Sequence, residues 1–121
     1  MYCLETSFLI NFLRGDKGVR KKFNQLNGNI LYTTSITAFE LLKYSNDIEN
    51  TKELLSRLNV LEFGMEEAEI AGELSRNMKK IGKIIESFDI LIAAITIKND
   101  LTLITSDKHF GKVIDLKVEI V

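Results

Sequence analysis

Four acidic side chains lie in predominantly apolar segments of the sequence, whereas most of the other acidic residues have polar neighbours. They are Glu5, Glu40, Asp89 and Asp107. A charged carboxylate that leaves water without a partner is costly, unless its pKa shifts until it is neutral. Four such residues in one small chain therefore point to a shared reason for their placement.

A divalent cation would relieve the repulsion among these carboxylates. Oxygen ligands alone suit hard ions such as Mg²⁺ or Mn²⁺, and the chain has no cluster of His and Cys that would favour Zn²⁺. Such a site lowers the pKa of a water molecule and stabilises charge on a phosphate. Taken singly, each acid is more simply a half-exposed surface group, but the four together indicate metal-dependent hydrolysis of a phosphodiester.

Short apolar runs alternate with longer helical stretches along the chain. Uniformly apolar strands in this alternation indicate an α/β fold with three layers, a mainly parallel sheet flanked by helices. The predicted strands are 2–4, 30–33, 60–63, 101–105 and 117–121. The predicted helices are 7–14, 16–26, 36–44, 48–58, 66–80, 88–98 and 107–114, with Ser35 or Thr37 capping the third and Ser87 the sixth.

A parallel sheet would bring the four acids to one edge. Glu5 and Asp107 follow predicted strands, Glu40 lies about one turn into the helix after the second strand, and Asp89 lies in the first turn of a crossover helix. The carboxyl ends of parallel strands form the binding crevice of such folds. We therefore expect the acids to converge there.

The length and composition limit the remaining possibilities. A chain of 121 residues fits one domain, here 1–121, and an apolar share of 45% with a charged share of 27% is ordinary for a folded protein. We expect no membrane span and no secretory leader.

The lone Cys3 fits a reduced core position, which favours the cytoplasm. A net charge of −1 argues against a wholly basic surface for nucleic acid.

Several polar residues have a simpler structural interpretation. Glu62 and Glu119 also lie in short strands, and we expect both to point outward. His109, the only histidine, follows Asp107 closely enough to suggest a general base, but an exposed position on a helix is the favoured interpretation. Two basic runs, 17–22 and 76–83, are typical of solvated helix faces. The second ends six residues before Asp89, so it could guide a phosphate backbone.

Three segments together resemble the PIN-domain family, and specifically the small toxins of VapBC toxin–antitoxin pairs. The opening MYCLETSFLI is similar to the family's first motif, a hydrophobic strand, an acid, Thr, then Asn or Ser. SITAFELLKY is similar to the second, and GKIIESFDILIAAITIKNDLTLITSDKHF to the last two. Their order and spacing agree over essentially the whole chain.

The resemblance implies an endoribonuclease that depends on Mg²⁺ or Mn²⁺, is inhibited by a cognate antitoxin of the VapB type, and forms a homodimer. It assigns the metal and the catalysis to Glu5, Glu40, Asp89 and Asp107. Thr6 and Thr105 match supporting hydroxyls. The basic residues Arg76, Lys79, Lys80 and Lys83 are the candidates for binding RNA.

One residue departs from the family pattern, because the first acid is normally Asp and here it is Glu5. The extra methylene displaces the carboxylate, and a fixed octahedral site tolerates displacement poorly. A degenerate module that binds RNA or antitoxin with little cleavage is therefore the alternative. A phosphoacceptor receiver domain is disfavoured, because it requires paired acids after the first strand.

Overall fold

The structure is a computed structural model that describes all residues from 1 to 121. A single sheet contains five strands in the order β3-β2-β1-β4-β5, and every neighbouring pair is parallel. The strands are β1 (Tyr2–Leu4), β2 (Leu31–Thr34), β3 (Asn59–Leu61), β4 (Thr102–Thr105) and β5 (Lys117–Ile120). The predicted parallel α/β fold is therefore confirmed.

Six α-helices and one short 3₁₀ helix connect the strands. They are α1 (Thr6–Leu13), α2 (Lys17–Gln25), α3 (Ser35–Tyr44), α4 (Ile48–Ser56), α5 (Met65–Lys80) and α6 (Ser87–Lys98), with the 3₁₀ helix at Lys108–Lys112. Most of the predicted boundaries agree to within two residues. None of these helices combines the length and apolar character needed to cross a bilayer.

Alternating side chains of the central strands divide the core into two layers. Cys3 and Leu103 face one apolar cluster, which α5 and α6 complete. Leu4 and Ile104 face the other cluster, which side chains from α1 to α4 complete. This alternation is the two-residue period of a strand with both faces covered, so the three-layer architecture is confirmed.

Two predicted helix caps were wrong. Thr34, not Ser35 or Thr37, caps α3, because β2 extends one residue further and the Thr34 hydroxyl accepts the Thr37 N–H at 3.0 Å. Ser87 is the first residue of α6, and the cap position belongs to Glu86, whose side chain makes no capping hydrogen bond. The N-terminus of α6 is thus left open beside Asp89.

Candidate active site

Glu5 is held at the carboxyl end of β1 by a compact set of hydrogen bonds. Its backbone N–H donates to the Ile104 carbonyl at 2.9 Å, which extends the pairing of β1 with β4. The side chain caps α1, and its Oε1 accepts from the Ser7 N–H at 3.0 Å, the Ser7 hydroxyl at 2.5 Å and the Thr105 hydroxyl at 2.5 Å. Glu5 is only 4% exposed, so its position is fixed by the core.

Ser7 and Thr105 join the ends of two neighbouring strands. The Ser7 hydroxyl accepts the Ser106 N–H at 3.0 Å, and the Thr105 hydroxyl accepts the Asp107 N–H at 2.9 Å. The same two hydroxyls contact Glu5, so the positions of Glu5 and Asp107 are coupled. Ser7 is not among the residues predicted for the site. The only sequence feature that could have indicated Ser7 is the first motif of the resembled family, which has Asn or Ser at this position.

Glu40 is tied to the start of α1. The Thr6 hydroxyl donates to Glu40 Oε1 at 2.7 Å and lies 2.9 Å from the Thr37 hydroxyl. A hydroxyl has one proton, so Thr6 donates to either Glu40 Oε1 or the Thr37 hydroxyl at any one time. Thr6 therefore orients the Glu40 carboxylate.

Asp107 follows β4 and caps the 3₁₀ helix. Its Oδ1 accepts the His109 N–H at 2.9 Å and lies 2.8 Å from His109 Nδ1. The His109 side chain is 70% exposed, in agreement with the exposed position predicted for it. The contact with Asp107 was not expected, and it fixes the orientation of this carboxylate.

Asp89 is half-buried in the first turn of α6, and its carboxylate accepts no hydrogen bond from any other residue. Its pKa rises from 3.8 to about 7, chiefly because burial disfavours the charged form and then because of nearby negative charges. Those charges belong to Glu5, Glu86, Asp107 and Glu40. Burial likewise raises the pKa of Glu5, although the hydrogen bonds from Ser7 and Thr105 oppose that rise.

The structure thus brings all four predicted acids to the same region, and it adds Glu86 to their electrostatic environment. Glu86 precedes Asp89 by three residues, a spacing that places two residues on one side of a helix. Glu86 is not among the residues predicted for the site, although this spacing could have indicated it. The two other embedded acids lie elsewhere, since Glu62 is exposed and Glu119 pairs with Lys22.

The carboxylate oxygens of the four acids are of the type that a hard divalent cation prefers, but they do not converge on a single metal position. No three His, Cys, Asp or Glu side chains lie close enough together to share a metal ion. The hydrogen bonds within the chain engage a single oxygen of Glu5, Glu40 and Asp107 and neither oxygen of Asp89. The remaining carboxylate oxygens are therefore free to act as ligands.

The predicted RNA-binding residues lie on the surface that leads to α6. Arg76, Lys79 and Lys80 occupy the last turns of α5, and Lys83 lies in the connection to α6. All four are exposed, and none forms an ion pair within the chain. In the other basic run, Lys22 pairs with Glu119, so part of that run is structural.

Known proteins share both the sequence and the fold. A model of the PIN domain matches residues 2–116. Ribonuclease VapC3 of Methanocaldococcus jannaschii is 37% identical over 76% of this chain and 94% of its own length. Ribonuclease VapC2 of Haemophilus influenzae is 31% identical over 98% of this chain and 96% of its own.

Solved structures give the same result. VapBC2 from Rickettsia felis, bound to a DNA fragment from its promoter, matches with a TM-score of 0.86 and 25% identity over 99% of this chain and 98% of the other. VapBC-1 from nontypeable Haemophilus influenzae matches with a TM-score of 0.83 and 27% identity, over 98% and 96%. The chain therefore belongs to the PIN domain family and is similar over most of its length to ribonucleases of the VapC type.

Proposed function

We propose that the chain is an endoribonuclease toxin that hydrolyses RNA phosphodiester bonds at the site formed by Glu5, Glu40, Asp89 and Asp107. Two relatives that are 37% and 31% identical carry the name ribonuclease VapC, which supports the reaction class. Because Mg²⁺ and Mn²⁺ prefer carboxylate oxygens, the same residues are proposed to hold the metal.

The observation that carries this proposal is the environment of Asp89. A half-buried carboxylate without a hydrogen-bond donor, surrounded by four other acids, is unfavourable in the metal-free protein. Such an arrangement is expected where a cation supplies the missing positive charge. Because a cation also removes the repulsion that separates the acids, we expect their side chains to draw together when it binds.

Residues of this chain hold the candidate metal ligands in place. A divalent cation held by these residues would lower the pKa of a water molecule and would stabilise negative charge on the phosphate. Thr105 and Ser7 hold Glu5, Thr6 holds Glu40, and His109 holds Asp107, so three of the four acids are oriented before any ligand arrives. Such preorganisation limits the side-chain entropy lost on binding.

The hydrogen bonds of Glu5 support a second candidate function. In this function the chain is a module that binds RNA or an antitoxin with little or no cleavage. Three hydrogen bonds converge on Glu5 Oε1, and this oxygen also caps α1. The longer side chain is therefore committed to a structural role that limits its freedom to approach a metal. Cleavage of RNA by the unaltered protein in Mn²⁺ separates the two candidates.

We also propose a protein inhibitor of the VapB type and a homodimer. The solved relatives named above are VapBC assemblies, which supports the inhibitor. A groove of about 260 Å³ between α1, α3 and α4, with Leu13, Leu41 and Tyr44 among its lining residues, offers a concave surface for it. The homodimer rests on the family resemblance. Addition of a purified VapB-type partner should suppress cleavage.

The experiment that tests the proposed function measures cleavage of single-stranded RNA by the purified chain in Mn²⁺, in Mg²⁺ and in EDTA. We expect products only with a divalent cation, and we expect Asp89→Asn to abolish them. Cleavage in EDTA would contradict the proposed role of the metal. Binding of RNA without cleavage in either cation would favour the second candidate.

A further inference from the structure

Two exposed aromatic residues are next in sequence to two of the candidate acids. Of the seven phenylalanines in the chain, only Phe39 and Phe88 are exposed, at 50% and 38%. Each directly precedes one of the candidate acids, Glu40 and Asp89 respectively. Exposed aromatic rings forgo the burial that stabilises the other five, so two of them at this one place call for an explanation.

The two rings contact each other although they belong to different helices. The ring centroids of Phe39 in α3 and Phe88 in α6 are 6.0 Å apart, and the ring planes meet at 81°, which is a favourable edge-to-face geometry. Lys43 Nζ lies 5.8 Å from the Phe39 centroid. The pair is thus a defined aromatic surface with a positive charge beside it, which we call the Phe39–Phe88 pair.

We propose that the Phe39–Phe88 pair stacks against an unpaired base of a single-stranded RNA whose phosphate lies at the acidic site. This inference rests on the proposed function, and it deepens that function by naming the class of substrate. In a nucleotide the base is one sugar away from its phosphate, so rings adjacent to the phosphate site are placed to receive it. Sequence-tolerant recognition of single strands commonly combines aromatic stacking with basic groups.

The basic residues near the Phe39–Phe88 pair are also compatible with a single-stranded RNA at this surface. Lys43 lies on one side, and the basic residues Lys79, Lys80 and Lys83 precede α6 along the chain. A single strand offers both phosphates for these cations and exposed bases for the rings. A base inside a duplex is already stacked between its neighbours, so it cannot reach the pair.

The size of the pair is small for a contact between two proteins. From typical areas of aromatic side chains and the exposures of 50% and 38%, the rings present roughly 150–200 Å². A standard protein interface buries about 800 Å² on each partner. The two rings by themselves therefore match the size of one base, and the exposed Leu42 and Tyr44 on the same helix make self-association the competing outcome that the test must separate.

The test measures affinity for RNA in EDTA, so that no cleavage occurs. The probe is a short oligoribonucleotide of mixed sequence, either single-stranded or annealed to its complement, with binding followed by fluorescence anisotropy. Phe39→Leu and Phe88→Leu keep an apolar side chain but remove the ring, and Phe39→Tyr keeps the ring. Ile30→Ala is the control, because Ile30 is exposed just before β2, at the opposite edge of the sheet.

We expect each leucine variant to bind the single strand roughly ten-fold more weakly than the unaltered protein does. Phe39→Tyr and Ile30→Ala should bind normally, and affinity for the duplex should not change. Thermal unfolding checks that the variants are folded. If Phe88→Leu does not fold, the test rests on Phe39, which is more exposed. The comparison is then between the RNA affinities of Phe39→Leu and Phe39→Tyr.

Three results would overturn the inference. In the first, the leucine variants bind the single strand normally and the unaltered protein cleaves RNA in Mn²⁺. This result would reject the stacking role of the pair and leave the proposed function intact. The second is loss of self-association in sedimentation with unchanged RNA affinity, which makes the pair a contact between copies. The third is that the unaltered protein neither binds nor cleaves RNA, which removes the proposed function as well.

Discussion

The Thr105 hydroxyl donates a 2.5 Å hydrogen bond to Glu5 Oε1, and so links two residues that lie 100 positions apart in the sequence. The same hydroxyl accepts the Asp107 N–H at 2.9 Å. Because β1 and β4 are parallel neighbours, the residues that follow them meet at one edge. One fully buried threonine thereby sets the relative positions of two candidate metal ligands.

Replacement of Thr105 by valine should therefore impair both folding and activity. Thr105→Val keeps the shape but leaves Glu5 Oε1 short of one donor and the Asp107 N–H without its acceptor. We expect a loss of about 1–3 kcal/mol in the free energy of unfolding, measured by urea denaturation, together with a marked fall in cleavage rate.

The control is Thr96→Val, a second fully buried threonine, whose hydroxyl donates to the Ile92 carbonyl within α6. It should cost less stability, because the Ile92 carbonyl still accepts the helical N–H of Thr96, and it should leave cleavage nearly unchanged. Equal losses of activity in the two variants would show that Thr105 acts through stability alone.

Stability without metal should fall as the pH rises from about 4 to about 7. In that range the folded protein holds a proton on Asp89, whose pKa is about 7, while the unfolded chain, with a value near 3.8, does not. The folded state binds more protons, so raising the pH favours unfolding until both states are ionised.

Asp89→Asn removes this titration. It should flatten the dependence on pH and raise the stability at pH 8 by about 1 kcal/mol, since solvent screens a half-exposed carboxyl. Thermal unfolding in EDTA across this pH range gives the measurement. An unchanged pH profile in the variant would mean that Asp89 is not the group responsible.

The elements of the fold could be predicted because each has a strong local pattern. The apolar strands and the nearly uniformly apolar α6 identify a covered parallel sheet without reference to any contact. The errors arose where neighbouring residues compete for one role. Thr34, Ser35 and Thr37 could each cap α3, and only the length of β2 selects Thr34.

The candidate site was predictable in part. An acid among apolar residues is conspicuous, so Glu40 and Asp89 could be singled out from their neighbours alone. Ser7 and Glu86 could not, because a serine in a first turn and an exposed glutamate are both common. The contribution of Ser7 depends on which segments the sheet brings together, whereas that of Glu86 follows from its three-residue spacing to Asp89.

Glu5 should tolerate a shorter carboxylate but not the loss of its charge. Glu5→Asp retains a good cap for α1 and restores the residue that is usual in the family, so we expect cleavage at least as fast as that of the unaltered protein. Glu5→Gln keeps the length and removes the negative charge, so it should lose most of the activity.

Rates of RNA cleavage in Mn²⁺ compare these two variants directly. A rise from no activity to clear activity in Glu5→Asp would identify the unaltered protein as the degenerate module. Full activity in Glu5→Gln would exclude Glu5 as a metal ligand.

The basic residues that precede α6 should add to the salt dependence of RNA binding. Joint replacement of Lys79, Lys80 and Lys83 by alanine should weaken binding and lower the slope of log affinity against log salt by roughly 2, because each phosphate contact in a single strand contributes about 0.7. Titrations in EDTA at several salt concentrations measure this slope.

The control makes the same change of charge elsewhere, with alanine at Lys17, Lys21 and Lys52, which are exposed and form no ion pair. An equal change of slope in both triple variants would point to net charge, not to a local binding surface.

The most direct test of the metal site is a titration with Mn²⁺ followed by thermal unfolding, without RNA, for the unaltered protein and for Asp89→Asn. A cation that binds only the folded state stabilises it by mass action. We predict a saturable rise in the Tm of the unaltered protein and little or none in Asp89→Asn, which should begin from a higher Tm without metal. An unaltered protein whose Tm does not respond to Mn²⁺, or a variant that gains as much as the unaltered protein, would contradict this prediction.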